Sequence, residues 1–130
     1  HAVVTMVARD DLPDGGAAHV AKVVREIKNT CPETTVEVLT SDFCGNHEAL
    51  DSLLESSPEI FNHNIETVRE LTPRVRHKAT YERTLQVLEY VKKNGKSGLM
   101  IKSGMMVGLG ETEEQVHRTI NDLKKAGVDI

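Results

Sequence analysis

Two periodicities alternate along the chain. The run AVVTMV (Ala2–Val7) is apolar and rich in β-branched residues, the pattern of a buried strand. Past the loop ARDDLPDGG, marked by Pro13 and the Gly15–Gly16 pair, Val20, Val23, Val24 and Ile27 recur at i, i+3, i+4 and i+7 and predict a helix. TVEVLT (Thr35–Thr40) reads as a second strand and SDFCGN as its loop. Ala49, Leu50, Leu53 and Leu54 then line one face of a helix that ends before Pro58. EIFNHNIE (Glu59–Glu66) is a third strand of unusual polarity. A linking stretch with Pro73 leads to a helix carrying Leu85, Leu88 and Val91, punctuated by Gly95 and Gly98. LMIKSGMMVG is a fourth strand and TEEQVHRTINDLKKA a fourth helix, with Val116, Ile120 and Leu123 on one face; a fifth strand begins at Val128.

Strand and helix thus alternate four times, which predicts an α/β domain over 1–130 with a parallel sheet. Two architectures fit: a small doubly wound sheet of flavodoxin type, or half of a βα barrel, complete at about 250 residues. The chain opens on His1 directly into an apolar run and stops on GVDI, where a strand starts. It reads as a piece of a longer protein, which favours the half barrel. In both folds the chemistry lies at the carboxyl ends of the strands.

The loops at those ends, RDDLPDGG, SDFCGN, NIETVRE and GLGETEE, are dense in acids, amides and glycines. Alternation along the third strand puts Asn62, Asn64 and Glu66 on one face and Phe61, His63 and Ile65 on the other. Three polar side chains inside a barrel are costly unless they meet a ligand or each other; an edge strand with one wet face also explains them. His63 reads as a hydrogen-bonded packing residue rather than a ligand.

Composition narrows the partners. Hydrophobic residues make up 38% and charged residues 28% of the 130 positions, ordinary for a globular domain. With a net charge of −4, no basic run and few aromatic residues, the chain does not suit nucleic acid. No apolar run approaches the roughly 18–20 residues of a membrane span. Cys31 and Cys44 lack metal-ligand spacing and read as buried or idle thiols, so no metal ligand is assigned within the segment.

KSGMMVGLGET (Lys102–Thr112) sets three glycines in an apolar stretch. It lacks the Gly-Lys-Ser/Thr of a phosphate loop and the third glycine of a dinucleotide fingerprint. Glu111, Glu113 and Glu114 crowd the following helix start, and Thr112 and Gln115 have capping-box spacing that occupies its free N–H groups. This strand end therefore suits a neutral or cationic ligand, or a base edge read through the backbone.

These residues resemble a known family. Gly104, Met106, Gly108 and Glu111 resemble the Gly-x-Ile-x-Gly-x-x-Glu adenine-binding strand of radical S-adenosylmethionine enzymes. RDDLPDGGA, DFCGN, FNHNIETV and KSGMMVGLGET together are similar to lipoyl synthase signatures, in order and across nearly all of the chain. The resemblance implies a partial TIM barrel of about four βα units, spanning the family's second to fifth strands. It implies S-adenosylmethionine and two 4Fe–4S clusters, with the cluster ligands outside this segment. Reductive cleavage then gives a 5′-deoxyadenosyl radical, and sulfur enters at C6 and C8 of an octanoyl chain on a carrier lysine. The implied partners are octanoylated carrier domains (2-oxoacid dehydrogenase E2 subunits, the glycine cleavage H protein) and an electron donor such as ferredoxin or flavodoxin. The implied compartment is the bacterial cytoplasm, or a mitochondrion or plastid.

By the same resemblance Asp14, Gly15 and Gly16 correspond to the element that meets the methionine amino group, with Ala17 where its acid stands. Asn64 and Glu66 stand at the ribose; a carboxylate can accept from both hydroxyls. Arg9, Asp10, Asp11 and Lys102 lie in the vicinity of cofactor or substrate. No catalytic residue is assigned, and the segment alone is expected to be inactive. Met6, Ser41 and the His77–Lys78 pair depart from the family pattern locally. A biotin synthase-type enzyme and a non-catalytic α/β binding module are the alternatives.

Overall fold

The computed structural model describes all 130 residues. Four parallel strands form one sheet: β1 (Ala2–Thr5), β2 (Val36–Leu39), β3 (Ile60–Asn62) and β4 (Met100–Lys102). Helices α1 (Ala17–Thr30), α2 (His47–Glu55), α3 (Thr72–Val75), α4 (Tyr81–Asn94) and α5 (Glu113–Lys125) connect and follow them. The strand order is β1-β2-β3-β4, the order of the sequence. A doubly wound sheet reverses direction at a switch point, whereas a barrel adds each strand beside the last. The order is therefore that of a partial barrel.

The register gives the sheet two unlike faces. Val4, Val38, Phe61 and Ile101 lie side by side in one row. The last three are fully buried and share a core with Val24, Leu50, Leu53, Leu88 and Val91 from the helices. The alternate rows, including Glu37, Asn62 and Lys102, point to the opposite face, where Val3 and Met100 are exposed. β3 lies inside the sheet, which removes the edge-strand explanation of its polar residues.

Caps fix where the helices start. Asn46 Oδ1 accepts from the N–H groups of Glu48 and Ala49 at 3.0 and 3.3 Å, and Thr80 Oγ1 accepts from Arg83 N–H. Thr112 and Gln115 form the expected reciprocal capping box on α5.

The structure corrects several expectations. Each strand is shorter than its apolar run, and α3 forms within the linking stretch. Cys31 and Cys44 are free and exposed, not buried. α5 buries Thr119 and Leu123, while Val116 is half-buried and Ile120 lies on an exposed flank. Val128–Ile130 lies along β4 through Ile130 N–H to Ile101 and Ser103 N–H to Ile130, without a regular strand of its own.

Candidate functional site

A cleft of about 360 Å³ opens at the carboxyl ends of β1, β2 and β3, lined among others by Asp10, Asp42, His63, Asn64, Glu66 and Arg76. Its wall is the stretch just beyond β3. The regular ladder ends at Asn62, and side chains then share the join to β4 with isolated backbone bonds. Asn64 Oδ1 accepts from Gly104 N–H at 3.0 Å, and Ser103 Oγ accepts from Ile65 N–H at 3.1 Å. A Cβ at position 104 would lie 2.8 Å from Asn64 Oδ1, so this contact requires glycine there. Glu66 N–H donates to the Gly104 carbonyl and Met106 N–H to the Glu66 carbonyl, at 3.2 and 2.8 Å. These bonds hold Glu66 at φ 67°, the left-handed region that non-glycine residues rarely occupy. Such a conformation costs about 1–2 kcal/mol and persists only where the surroundings impose it. The Glu66 carboxylate has one nearby cation, Arg76, at 4.0 Å.

His63 lies behind this wall, buried. Its Nδ1 is 2.9 Å from the Thr40 carbonyl, which can only accept, so Nδ1 carries the proton. Nε2 then accepts from Arg76 Nη2 at 3.1 Å and from the Thr84 hydroxyl at 3.3 Å. Burial, reinforced by the positive charge of Arg76, lowers the His63 pKa from 6.5 to about 4. The imidazole is a neutral packing group, as its place in the sequence suggests. Arg76 also donates through Nη1 to the Asn64 carbonyl at 2.6 Å and through Nε to the Ala79 carbonyl at 3.1 Å. Beside it Arg83 Nε meets Asp42 at 2.6 Å.

The other residues singled out in the sequence divide between this wall and its surroundings. Asp10 is in the cleft and faces Lys78 across 3.6 Å. Arg9 and Asp11 pair with each other in solvent. Asp14 caps α1: its two oxygens accept from Gly16 and Ala18 N–H at 2.9 Å each, and these bonds, Ala18's first, hold its pKa below the usual range. Gly15 takes φ 61°, and a Cβ there would lie 2.9 Å from the Phe43 ring; Gly16 follows at φ 89° against Met6 and Arg9. Ala17, at the position where the sequence resemblance expects an acid, is fully buried. Glu111 closes its own exposed turn by accepting from Gly108 and Leu109 N–H. Met106 is exposed beside Glu66, and Val107 makes no backbone hydrogen bond to the rest of the chain.

Lys102 points to the sheet face away from the helices, in one row with Asn62, where its ammonium lies 2.9 and 3.2 Å from the two oxygens of buried Glu37. Asn62 Nδ2 donates to the same carboxylate at 2.8 Å. Burial alone would raise the Glu37 pKa, but the bonds from Lys102 and Asn62 and the lysine charge outweigh it and leave the pKa lowered. Sequence reasoning missed Glu37, Arg76 and Arg83. Glu37 was detectable as the lone acid in an apolar strand; the two arginines carry no positional signal.

Comparison with known protein families matches residues 1–123 to the description "Radical SAM superfamily". The chain belongs to that superfamily. Within it, the chain is 62% identical over 131 residues to a lipoyl synthase of Protochlamydia amoebophila, with all of this chain and 41% of that protein aligned. It is 55% identical to a lipoyl synthase of Chlamydia felis and 52% identical to one of Staphylococcus carnosus, again along its whole length. The chain spans about two-fifths of the length of these relatives: 41% and 42% of the latter two.

Radical SAM membership implies S-adenosylmethionine and an iron–sulfur cluster, and the two fit this chain differently. The available Glu66 carboxylate, the unpaired peptide groups of Val107 and the side-chain-free Gly104 suit a ribose and an adenine edge. No grouping of three or more His, Cys, Asp or Glu side chains is placed to hold a metal. The chain's own residues therefore do not fit a cluster.

Proposed function

We propose that this chain forms the S-adenosylmethionine-binding wall of a lipoyl synthase, a radical sulfurtransferase. That enzyme inserts two sulfur atoms at C6 and C8 of an octanoyl chain on a carrier lysine. The observation that carries the reading is the convergence of Asn64, Glu66 and the Gly104–Val107 backbone at the carboxyl ends of two adjacent parallel strands. Identity to three proteins named lipoyl synthase supports the specific activity.

Once bound and reduced, S-adenosylmethionine supplies a carbon radical able to take hydrogen from an unactivated carbon. Glu66 accepts from the ribose hydroxyls, Asn64 sets the spacing between the third and fourth strands, and Met106–Gly108 offers backbone groups to the adenine. Asp14, Gly15 and Gly16 border the methionine end, and Arg9, Asp10, Asp11 and Lys102 form the surroundings. Two 4Fe–4S clusters, octanoylated E2 and H-protein carriers and a ferredoxin or flavodoxin donor complete the reading, in the cytoplasm or an organelle.

Glu66→Ala in a full-length enzyme carrying this segment tests it. Loss of the charge-assisted bonds is expected to weaken S-adenosylmethionine about tenfold or more in calorimetric titration. Unchanged affinity would contradict the ribose assignment.

A further inference from the structure

The strained Glu66 and its neighbour Asn64 sit beyond the last regular rung of β3, where an isolated bridge from Glu66 to Met105 holds the β4 side and no backbone bond holds the β2 side. On the β4 side, Ser103, Gly104 and Met106 hold the segment. On the β2 side the last backbone bond is Thr40 N–H to the Asn62 carbonyl. The next outward carbonyl is that of Asn64, and its donor is not a strand but the guanidinium of Arg76 at 2.6 Å. The same guanidinium donates to His63 and to Thr84, and faces Glu66 at 4.0 Å. One planar group therefore grips the backbone at Asn64, the side chain before it and the carboxylate after it.

We propose that Arg76 is the positioning residue for the cofactor-facing end of β3, fixing the aim of Asn64 and Glu66 without contacting the cofactor. Arginine is suited to this because its rigid fork presents several donors in fixed directions at once. Lysine keeps the charge but offers a single compact ammonium, which cannot span the Asn64 carbonyl, His63 and Thr84 together. The guanidinium is largely covered and anchored at Ala79, at the far side from the strand. Thr84, on α4, ties the device to the helical layer, so the segment is braced from the core outward.

The inference rests on the ribose reading of Glu66, and the test separates the two. In the full-length holoenzyme, Arg76→Lys, Glu66→Ala and the double variant are titrated with S-adenosylmethionine, and amide exchange is followed at Ile65 and Glu66. The expected result is that each single change weakens binding about tenfold. The double variant should be no worse than about the weaker single one, because the two residues act as one unit. Exchange at 65 and 66 should quicken in Arg76→Lys before any cofactor is added. Weakened binding in Glu66→Ala with wild-type affinity and exchange in Arg76→Lys overturns the positioning role alone. Additive losses with unchanged exchange also overturn it, since Arg76 would then meet the cofactor directly. Unchanged affinity in Glu66→Ala overturns the ribose reading and the inference together. If Arg76→Lys does not fold, Thr84→Val removes one of the guanidinium's partners, and about threefold weaker binding with faster exchange is expected; wild-type binding and wild-type exchange in Thr84→Val would overturn the proposal.

Discussion

Acidification from pH 8 to pH 5 should destabilise the chain through His63 in particular. The folded imidazole titrates at about 4 and the unfolded one at 6.5, so the unfolded state binds more protons in between. The stabilisation is complete above pH 6.5 and is lost as pH falls through the interval toward 4. At pH 5 the unfolded imidazole is about 97% protonated and the buried one about 9%, which amounts to about 2 kcal/mol of lost stability. Urea titrations at the two pH values read this as a fall of about 1 M in midpoint. The window is chosen so that the carboxylates with lowered pKa, Asp11, Asp14, Glu37, Glu59, Glu111 and Asp129, stay mostly ionised, since even their ordinary values are 3.8 and 4.5. The His63→Gln variant supplies the comparison: it should be less stable at pH 8 and nearly flat between the two pH values. Equal pH-dependent losses in wild type and variant would refute the reasoning, as would a His63 nuclear resonance that titrates near 6.5.

Two further outcomes follow from the sheet. Lys102→Met leaves the buried Glu37 carboxylate with only the His1 imidazole, at 3.4 Å, beside it and should cost about 3 kcal/mol, the low end for a broken buried pair because the lysine is over a third exposed. Combining it with Glu37→Leu should recover most of that loss in urea titration, and a single variant as stable as wild type would contradict the pairing. Gly104→Ala drives a Cβ to 2.8 Å from Asn64 Oδ1 and should break the Asn64–Gly104 bond. The expected signs are a shifted Asn64 side-chain amide resonance and about tenfold weaker S-adenosylmethionine binding in the full-length enzyme; an unshifted resonance would exclude the contact.

The helices show which parts of the fold the sequence determines locally. α2 follows its stripe: Ala49, Leu50, Leu53 and Leu54 are all buried, because a short amphipathic helix on a sheet has one way to lie. α5 does not, since Thr119 satisfies its own hydroxyl at the Gln115 carbonyl and can be buried cheaply, which turns Ile120 outward. Strand lengths were overestimated because apolar character continues where the ladder stops. Beyond Asn62 the Asn64 and Ser103 side chains join the strands alongside a few isolated backbone bonds, a device that hydrophobic pattern does not register. The polar face of the third strand was legible from alternation alone. The partners of those polar residues were not, because Glu37 meets Asn62 across 25 positions of chain and Arg76 meets Glu66 across 10.

The sequential strand order also bears on how the chain folds as it leaves the ribosome. Each βα unit adds to the edge left by the one before, so the sheet can grow in the direction of synthesis through short-range closures. Glu37 is the exception. Its lysine partner follows 65 residues later, and the strand that supplies its amide partner comes 25 residues later. Until both arrive, the growing edge presents a hydrated carboxylate on the face that later closes, a charge that discourages premature pairing with another nascent chain.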